Sequence, residues 1–306
     1  MSTDLQKIVS GMTESHLNNI MQLAFFYTGN MEIYAVNVSK IQNFVILNEI
    51  EIVPNRDSSS IIIGVADIRG EVVTFVDLDR WLGIPECDSS VYSVGIVCNI
   101  NFRRIGFFVR EIIGIEDRFS YELKKLSSHI LKILYETRIT INGRERPSSI
   151  FDIERLMSES GFPPETPPFV APEPKQDHFV HKKVLIAEDS ATAAKKLADF
   201  FASLRIEYEI YGDGADLIDR LDKIDPGATG MIVTDLEMPM KDGFQVIAHM
   251  KQNARLSSLP VVVNSSMTSS GIAEKIRRLG VTDFVNKSDT HALFALVERY
   301  MKNSKE

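Results

Sequence analysis

Short apolar runs alternate with amphipathic segments of helix length over residues 182–306. The five runs are Val184–Ala187, Tyr208–Tyr211, Met231–Thr234, Val261–Asn264 and Phe284–Asn286. Apolar strands separated by helices are typical of a parallel sheet that is covered on both faces. In such sheets the ligand site lies at the carboxyl ends of the strands. The pattern predicts an α/β domain with a five-stranded parallel sheet, and it directs attention to the residues that follow each strand.

The pattern differs over residues 20–157, where Gly, Asn or Asp closely follows many of the apolar runs. These runs are Leu23–Tyr27, Ile33–Val36, Ile61–Val65, Val72–Val76, Val94–Cys98 and Ile105–Val109. Short strands with turn residues between them predict an all-β sandwich or barrel arrangement. One helix is predicted over Tyr121–Tyr135, where Leu and Ile recur at helical spacing.

Proline marks the boundary between the two patterns, because six of the 12 prolines fall between Pro163 and Pro174. Such a stretch cannot hold a helix or a central strand, and it favours an extended, semi-rigid spacer. We therefore predict an N-terminal segment at 1–19, a first domain at 20–157, a linker at 158–181 and a second domain at 182–306.

Charge and cysteine content narrow the possible environments and partners. The net charge is -8 and no run of Lys and Arg could follow a phosphate backbone, so we expect no nucleic-acid partner. The only two cysteines, Cys87 and Cys98, cannot form a disulfide framework for 306 residues, which favours a reducing cytoplasm. No segment approaches the roughly 18 apolar residues of a membrane span. Membrane association is therefore expected only through a partner.

Three carboxylates follow neighbouring strands of the predicted parallel sheet. Glu188 and Asp189 come after its first strand, and Asp235 comes after its third. Crowded carboxylates repel one another unless a cation joins them, and Mg²⁺ binds one or two carboxylates together with phosphate oxygens. The spacing therefore predicts a metal site in one crevice at the strand ends.

The fourth and fifth strands bring two more polar groups to the same edge. Ser265 offers a hydroxyl and Lys287 offers an ammonium for a phosphoryl oxygen. With such charges available, one carboxylate could attack a phosphoryl group as a nucleophile, and Asp235 is the best placed. Each residue alone has an ordinary structural explanation as a turn or helix-capping residue. Their joint position at four strand ends favours a functional site.

Residues 183–303 resemble a two-component receiver domain of the CheY kind, which has a flavodoxin-like fold. The resemblance is carried by Val184–Asp189, Val233–Gly243, Leu259–Ser266 and Asp283–Lys287. It implies that Asp235 accepts phosphate from a histidine kinase, and that Glu188, Asp189, Asp235 and the backbone carbonyl of Glu237 hold Mg²⁺. It also implies that Ser265 and Lys287 contact the phosphoryl group, with Phe284 and Ser265 as the switch pair.

Two positions depart from the usual receiver pattern. The family's Lys-Pro pair is Lys287-Ser288 here, and the common switch tyrosine is Phe284, which has no hydroxyl. The first change removes the reason for a cis peptide bond after Lys287. The second leaves an aromatic ring that can still move inward when Ser265 moves.

The first domain carries a different signature, in the stretch Ile63–Leu78. It contains Gly64, Arg69 and Gly70 in the order typical of CheW-like coupling domains, and the resemblance covers roughly residues 20–157. It implies two small SH3-like β-barrels that bridge methyl-accepting chemoreceptors and the histidine kinase CheA. It further implies that Gly64, Arg69 and Gly70 belong to the partner-binding segment.

The two domains together resemble the CheV-type chemotaxis coupling proteins. That resemblance implies an adaptor, without enzymatic turnover of its own, whose coupling of receptors to kinase is modulated by phosphorylation at Asp235. It also implies a cytoplasmic protein associated with receptor arrays. A receiver that acts as a phosphate sink for the kinase is the alternative. An aspartate-nucleophile phosphatase, with Glu237 as its second acid, is a remote alternative.

Overall fold

The computed structural model describes residues 20–57, 59–100, 103–125, 132–161, 178–266, 270–281 and 283–303. These residues fall into two compact units, one within 21–163 and the other from 164 onwards. Among the described helices, none is both long and apolar enough to cross a membrane.

The described part of the N-terminal unit consists of strands with two short helices. The strands are β1 Ile20–Tyr27, β2 Ile33–Asn37, β3 Ile41–Ile46, β4 Val53–Pro54, β5 Ile62–Ile68, β6 Glu71–Val76, β7 Val94–Ile100, β8 Arg103–Val109, β9 Glu111–Phe119, β10 Lys124–Lys125, β11 Ile133–Ile141 and β12 Arg144–Phe151. The helices are α1 Leu78–Leu82 and α2 Ile153–Glu159. One six-stranded sheet has the order β10-β11-β12-β2-β1-β9, and the other has the order β3-β7-β8-β6-β5-β4. The prediction of an all-β domain built in two parts is confirmed.

Aromatic rings form the centre of this unit's largest core. Phe26, Phe107 and Phe151 are at most 1% exposed, and their ring centroids lie 5.6 to 6.3 Å apart. Trp81 of α1 meets Phe151 edge-on at 6.2 Å. Aromatic pairs in tilted or edge-to-face arrangements stabilise a core beyond the area that they bury. This cluster therefore joins α1 and the start of α2 to strands from both sheets.

The helix predicted over Tyr121–Tyr135 is wrong for the described part of that segment. The chain makes a 3-10 turn at Ser120–Glu122 and then forms β10, and after residues 126–131, which lie outside the described residues, it forms β11. In β11 every second residue is buried, at Tyr135, Thr137 and Ile139, and Arg138 between the last two is exposed, which is the alternation of a strand. The helical spacing combined Leu123, which precedes β10, with Leu134 of β11, and these two strands pair antiparallel.

The C-terminal unit is a parallel sheet with helices on both faces. Its strands are β13 Lys183–Ala187, β14 Tyr208–Tyr211, β15 Thr229–Thr234, β16 Val261–Ser265 and β17 Asp283–Asn286. Its helices are α3 Ala191–Ser203, α4 Gly214–Leu221, α5 Gly243–Gln252, α6 Ser270–Arg278 and α7 Thr290–Met301. The sheet order β14-β13-β15-β16-β17 and the all-parallel pairing confirm the predicted flavodoxin-like fold.

The two faces of this sheet bury separate cores. Residues of α4, α5 and α6 pack against one face through Leu217, Phe244 and Ile276. Residues of α3 and α7 pack against the other, through side chains such as Phe201 and Val297. Because the sheet is covered on both sides, the open edge at its carboxyl ends is where polar side chains can gather.

The chain enters the C-terminal unit alongside the end of α7. Phe179, which falls within the predicted linker, is 9% exposed and belongs to the core under α3 and α7. It forms an antiparallel bridge with Lys302. The amide of Val180 donates to the carbonyl of Met301 at 2.7 Å, and the amide of Asn303 donates to the carbonyl of His178 at 2.9 Å. Residues 178–180 are thus attached to the carboxyl end of α7.

Candidate functional site

Strand register brings the three predicted carboxylates together. β13 and β15 pair in parallel with Ala187 opposite Thr234, and the amide of Asp235 donates to the carbonyl of Ala187 at 3.0 Å. Glu188 and Asp235 therefore leave neighbouring strands side by side. With Asp189 they form a cluster in which one oxygen of each carboxylate lies within 4.8 Å of the others. The crevice predicted from strand ends alone is present.

Lys287 closes this acidic cluster from the end of β17. Its Nζ lies 2.8 Å from Asp235 Oδ2 and 2.9 Å from Glu188 Oε1. The Lys287, Glu188 and Asp235 side chains are only 6%, 1% and 2% exposed. Three carboxylates and one ammonium leave a net negative formal charge in this crevice, where Glu188, Asp235 and Lys287 are buried. Further positive charge is therefore favoured in this crevice.

Backbone groups fix the orientation of the carboxylates. The amide of Leu236 donates to Asp235 Oδ1 at 2.6 Å, and the amide of Ser190 donates to Glu188 Oε1 at 3.2 Å. The loop after Asp235 returns so closely that a Cβ on Gly243 would lie 2.1 Å from the Asp235 carbonyl oxygen. Only glycine permits that approach. Gly243 therefore belongs to the framework that holds the acid.

The other predicted receiver residues lie around the cluster. Ser265 ends β16, is fully buried, and accepts a bond at 3.3 Å from the amide of Lys287 through its backbone carbonyl. Glu237 lies two residues beyond Asp235 and is half-buried. Phe284, in β17, is half-buried and packs against the core on the side of α4, α5 and α6. Glu188, Asp189, Asp235 and Lys287 thus meet directly, whereas Phe284 lies on a flank.

The donor set of the crevice suits a hard divalent cation. All three grouped ligand atoms are carboxylate oxygens, which is the ligand type that Mg²⁺ prefers. Mg²⁺ sites of proteins use one or two carboxylates and leave other positions for water or phosphate oxygens. The residues present therefore fit a magnesium ion.

Two polar residues beside Lys287 were not singled out from the sequence. Asn286 Oδ1 accepts from the amide of Ser288 at 2.8 Å and from its hydroxyl at 2.6 Å. The carbonyl of Asn286 also accepts from the amide of Asp289 at 2.8 Å. An Asn two residues before a Ser is a turn signal. The sequence contained that signal, but Ser288 was interpreted only as the residue that replaces the proline of the Lys-Pro pair.

The N-terminal candidate residues occupy the hairpin between β5 and β6. Arg69 and Gly70 are its exposed turn residues, with φ of 58° and 83°, as in a two-residue turn of type I′. Asp67 Oδ1 accepts from the Gly70 amide at 2.6 Å, and Arg69 Nη1 lies 3.4 Å from Asn43 Oδ1. The turn thus presents a guanidinium at a rigid, exposed point.

Gly64 has a different position from its two predicted companions. It is buried within β5, and a Cβ there would lie 2.3 Å from the carbonyl oxygen of Val53 in β4. Gly64 therefore allows the edge strand β4 to approach β5. Any contribution of Gly64 to partner binding would come through the shape of this sheet edge.

A polar network beside the hairpin was also not anticipated. Arg104 Nε donates to Gln42 Oε1 at 3.1 Å, and Gln42 Nε2 donates to Glu71 Oε2 at 2.9 Å. Arg104 also pairs with Glu71. These residues lie on β8, β3 and β6, which are apart in sequence, so their contact could not be read from local patterns.

The chain is similar to two protein families along its length. The model of the CheW-like domain matches residues 22–161, and the model of the response regulator receiver domain matches residues 184–298. Among curated relatives, the chemotaxis protein CheV2 of Helicobacter pylori is 28% identical, over 94% of this chain and 96% of its own. Chemotaxis protein CheV1 of the same organism is 26% identical, over 96% of this chain and 97% of its own.

Among solved structures, the scaffolding protein TtCheW from Thermoanaerobacter tengcongensis matches with 14% identity and a TM-score of 0.36. The match covers 43% of this chain and 88% of that chain.

Proposed function

Because the chain belongs to the CheV-type chemotaxis proteins, with a CheW-like domain followed by a receiver domain, we propose that phosphorylation of Asp235 modulates its coupling of chemoreceptors to the histidine kinase CheA. One observation carries the proposal. The ammonium of Lys287 lies 2.8 Å from Asp235 and 2.9 Å from Glu188 in a buried crevice with a third carboxylate. The same chain carries the CheW-like domain.

The proposed chemistry is a transfer of a phosphoryl group from a phosphohistidine to Asp235. A carboxylate oxygen of Asp235 attacks phosphorus, and an O–P bond forms while the P–N bond of the donor breaks. The electron pair of that bond goes to the imidazole nitrogen, which takes up a proton. Lys287 then lies close enough to compensate the charge of the transferred group. Leu236, through its amide, holds the attacking carboxylate in a fixed orientation.

We assign the magnesium site to the carboxylates of Glu188, Asp189 and Asp235, together with the backbone carbonyl of Glu237. Their oxygen chemistry and the net negative charge of the crevice support this assignment. A bound magnesium ion would supply positive charge to the phosphoryl oxygens. Ser265 is assigned as a further phosphoryl contact and, with Phe284, as the element that responds to phosphorylation.

The partner surface is assigned to the hairpin that carries Arg69 and Gly70, with Gly64 shaping its neighbouring edge. The exposed guanidinium can bond a carboxylate in a bidentate manner, which is a frequent feature of interface residues. The partners are CheA and methyl-accepting chemoreceptors, so association with membranes is indirect and the protein works in the cytoplasm. We keep the domain limits 20–157 and 182–306 and the linker 158–181 as predictions.

Co-sedimentation with receptor-containing membranes and CheA tests the proposal. The protein is incubated with Mg²⁺ with or without acetyl phosphate, and bound protein and kinase activity are measured. We expect the phosphodonor to change one or both in the wild type but not in Asp235→Asn. The matched control is Asp199→Asn on the exposed face of α3, which should respond like the wild type.

The remaining outcomes separate the alternatives. A protein that is phosphorylated yet shows unchanged binding and kinase coupling would be a phosphate sink. Continuous release of phosphate from a phosphate ester by the purified protein would support the phosphatase. Arg69→Ala should weaken sedimentation without slowing phosphate uptake, whereas Arg138→Ala, which removes another exposed arginine, should change neither. Equal effects of both arginine variants would contradict the assigned surface.

A further inference from the structure

Lys287 lies in the short turn that connects β17 to α7. It is the first residue after β17, and α7 begins at Thr290. Its Nζ reaches the far side of the crevice, to within 2.9 Å of Oε1 of Glu188, which directly follows β13. A small rotation of the turn at Lys287 would displace this ammonium from both carboxylates. The conformation of three residues therefore determines where the charge lies.

One side chain supplies most of the bonds that define this turn. Asn286 Oδ1 accepts from both the amide and the hydroxyl of Ser288, at 2.8 and 2.6 Å. The carbonyl of Asn286 accepts from the amide of Asp289, which closes a β-turn around Lys287. An Asn side chain that accepts from the backbone two residues ahead forms an Asx-turn, which mimics a backbone turn. Lys287 is thus enclosed by two turns that share Asn286.

The burial of the Asn286 amide indicates that its oxygen is the group that matters. Its Nδ2 is buried, and among the described residues it has no hydrogen-bond partner. A buried donor without a partner costs free energy, whereas the oxygen of the same amide makes two bonds. An amide whose only role was to be hydrated would expose this nitrogen to water.

We propose that Asn286, together with Ser288, is a positioning residue for the phosphoryl-transfer site: their Asx-turn holds Lys287 against Asp235 and Glu188. Ser288 lacks the ring that restricts the backbone in a Lys-Pro pair, and the side-chain bonds to Asn286 supply the restriction. The inference rests on the proposed function, since it assigns Asn286 a role in phosphorylation of Asp235. Their bonds to each other close the turn that contains Lys287, so both are assigned to act through Lys287.

The test is a double-mutant cycle on the rate of phosphate incorporation by the full chain from labelled acetyl phosphate with Mg²⁺. We expect Asn286→Ala to slow incorporation about tenfold, because a misplaced group near the reacting atoms is costly. Ser288→Ala should slow it less, since the amide bond to Asn286 remains. In a Lys287→Ala background, measured over longer incubations, Asn286→Ala should cause no further loss.

A matched control separates positioning from a general effect on folding. Asp225 Oδ1 accepts from the amide of Gly227 at 2.9 Å in an Asx-turn away from the crevice. Asp225→Ala should lower the unfolding free energy about as much as Asn286→Ala but leave the rate of incorporation unchanged. Loss of rate in both variants would overturn the inference.

Other outcomes are equally decisive. If Asn286→Ala incorporated phosphate at the wild-type rate, the positioning role would be overturned. Labelling of the wild type in the same experiment would still support the proposed function. A further tenfold loss in the Lys287→Ala background would show that Asn286 does not act through Lys287. Failure of the wild type to incorporate phosphate would overturn the proposed function itself, and the inference with it.

Discussion

Lys287→Met is expected to destabilise the receiver domain because it leaves two buried carboxylates without their shared cation. The side chains of Glu188 and Asp235 are 1% and 2% exposed, and each makes one bond to the ammonium, at 2.9 and 2.8 Å. Removing one partner of a buried ion pair costs about 3–5 kcal/mol. We therefore expect the unfolding free energy to fall by about 3 kcal/mol at neutral pH without Mg²⁺.

Magnesium should restore much of this loss. An ion that binds only the folded state stabilises it by about 2.7 kcal/mol at a hundred times its dissociation constant. In the variant the ion no longer competes with the ammonium for Glu188 and Asp235. We therefore expect a larger stabilisation by Mg²⁺ in Lys287→Met than in the wild type.

Urea unfolding followed by circular dichroism, with Mg²⁺ and with EDTA, measures both effects. The matched control is Lys195→Met, because Lys195 pairs with Asp199 at 2.9 Å but both side chains are at least 67% exposed. An exposed pair of this kind contributes about 0.3–0.5 kcal/mol. If Lys287→Met changed stability no more than the control, or if Mg²⁺ stabilised it no more than the wild type, the reasoning about a buried charged crevice would be refuted.

Three further predictions concern local conformation and charge. Met240 has a φ of 68° and is 41% exposed, so Met240→Gly should raise the unfolding free energy by about 1 kcal/mol in urea unfolding. In Gly243→Ala a Cβ would lie 2.1 Å from the carbonyl oxygen of Asp235, so both stability and the rate of phosphate incorporation should fall, as measured on the same preparation. Arg220 holds the pKa of Glu209 at about 2, below its ordinary 4.5. Glu209→Gln should therefore lower stability by about 1 kcal/mol at pH 7. A carboxyl whose pKa is lower in the folded than in the unfolded protein stabilises the fold at pH values above the unfolded pKa, and this stabilisation is lost as pH falls through the folded pKa of about 2. The unfolding free energies of the wild type and of the variant, measured in urea, should therefore become equal near that pH.

The receiver fold could be predicted from sequence because its signals are local and strong. Each of its strands is a short run of mostly apolar residues, and the polar groups follow directly after the strands. Once the strands are parallel, Glu188 and Asp235 must meet at one edge, as the register of Ala187 with Thr234 confirms. The position of Lys287 at the same edge followed from the same reasoning, but its bonds to Glu188 and Asp235 did not, because the sequence suggested a phosphoryl oxygen as its partner.

The N-terminal unit was less predictable because its contacts link residues that are far apart in sequence. The helix expected over Tyr121–Tyr135 is wrong because Leu123 precedes β10 and Leu134 lies in β11, two strands that pair with each other. Gly64 resembled a signature residue, but its close approach to Val53 depends on the pairing of β4 with β5. No local pattern could have shown that neighbour.

The attachment of Phe179 to the end of α7 determines how a mechanical load would enter the receiver domain. A pull on the chain before residue 178 acts first on the Phe179 ring and on the two backbone bonds that join 178–180 to 301–303. Phe179 shares a core with Val297 and Met301 of the last helix and with Val184 of β13, but the two backbone bonds join residues 178–180 to residues 301–303 alone, so tension would act most directly on the last helix. The carboxyl end of α7 is therefore the mechanical input of this domain, on the element that directly follows Lys287 and its turn.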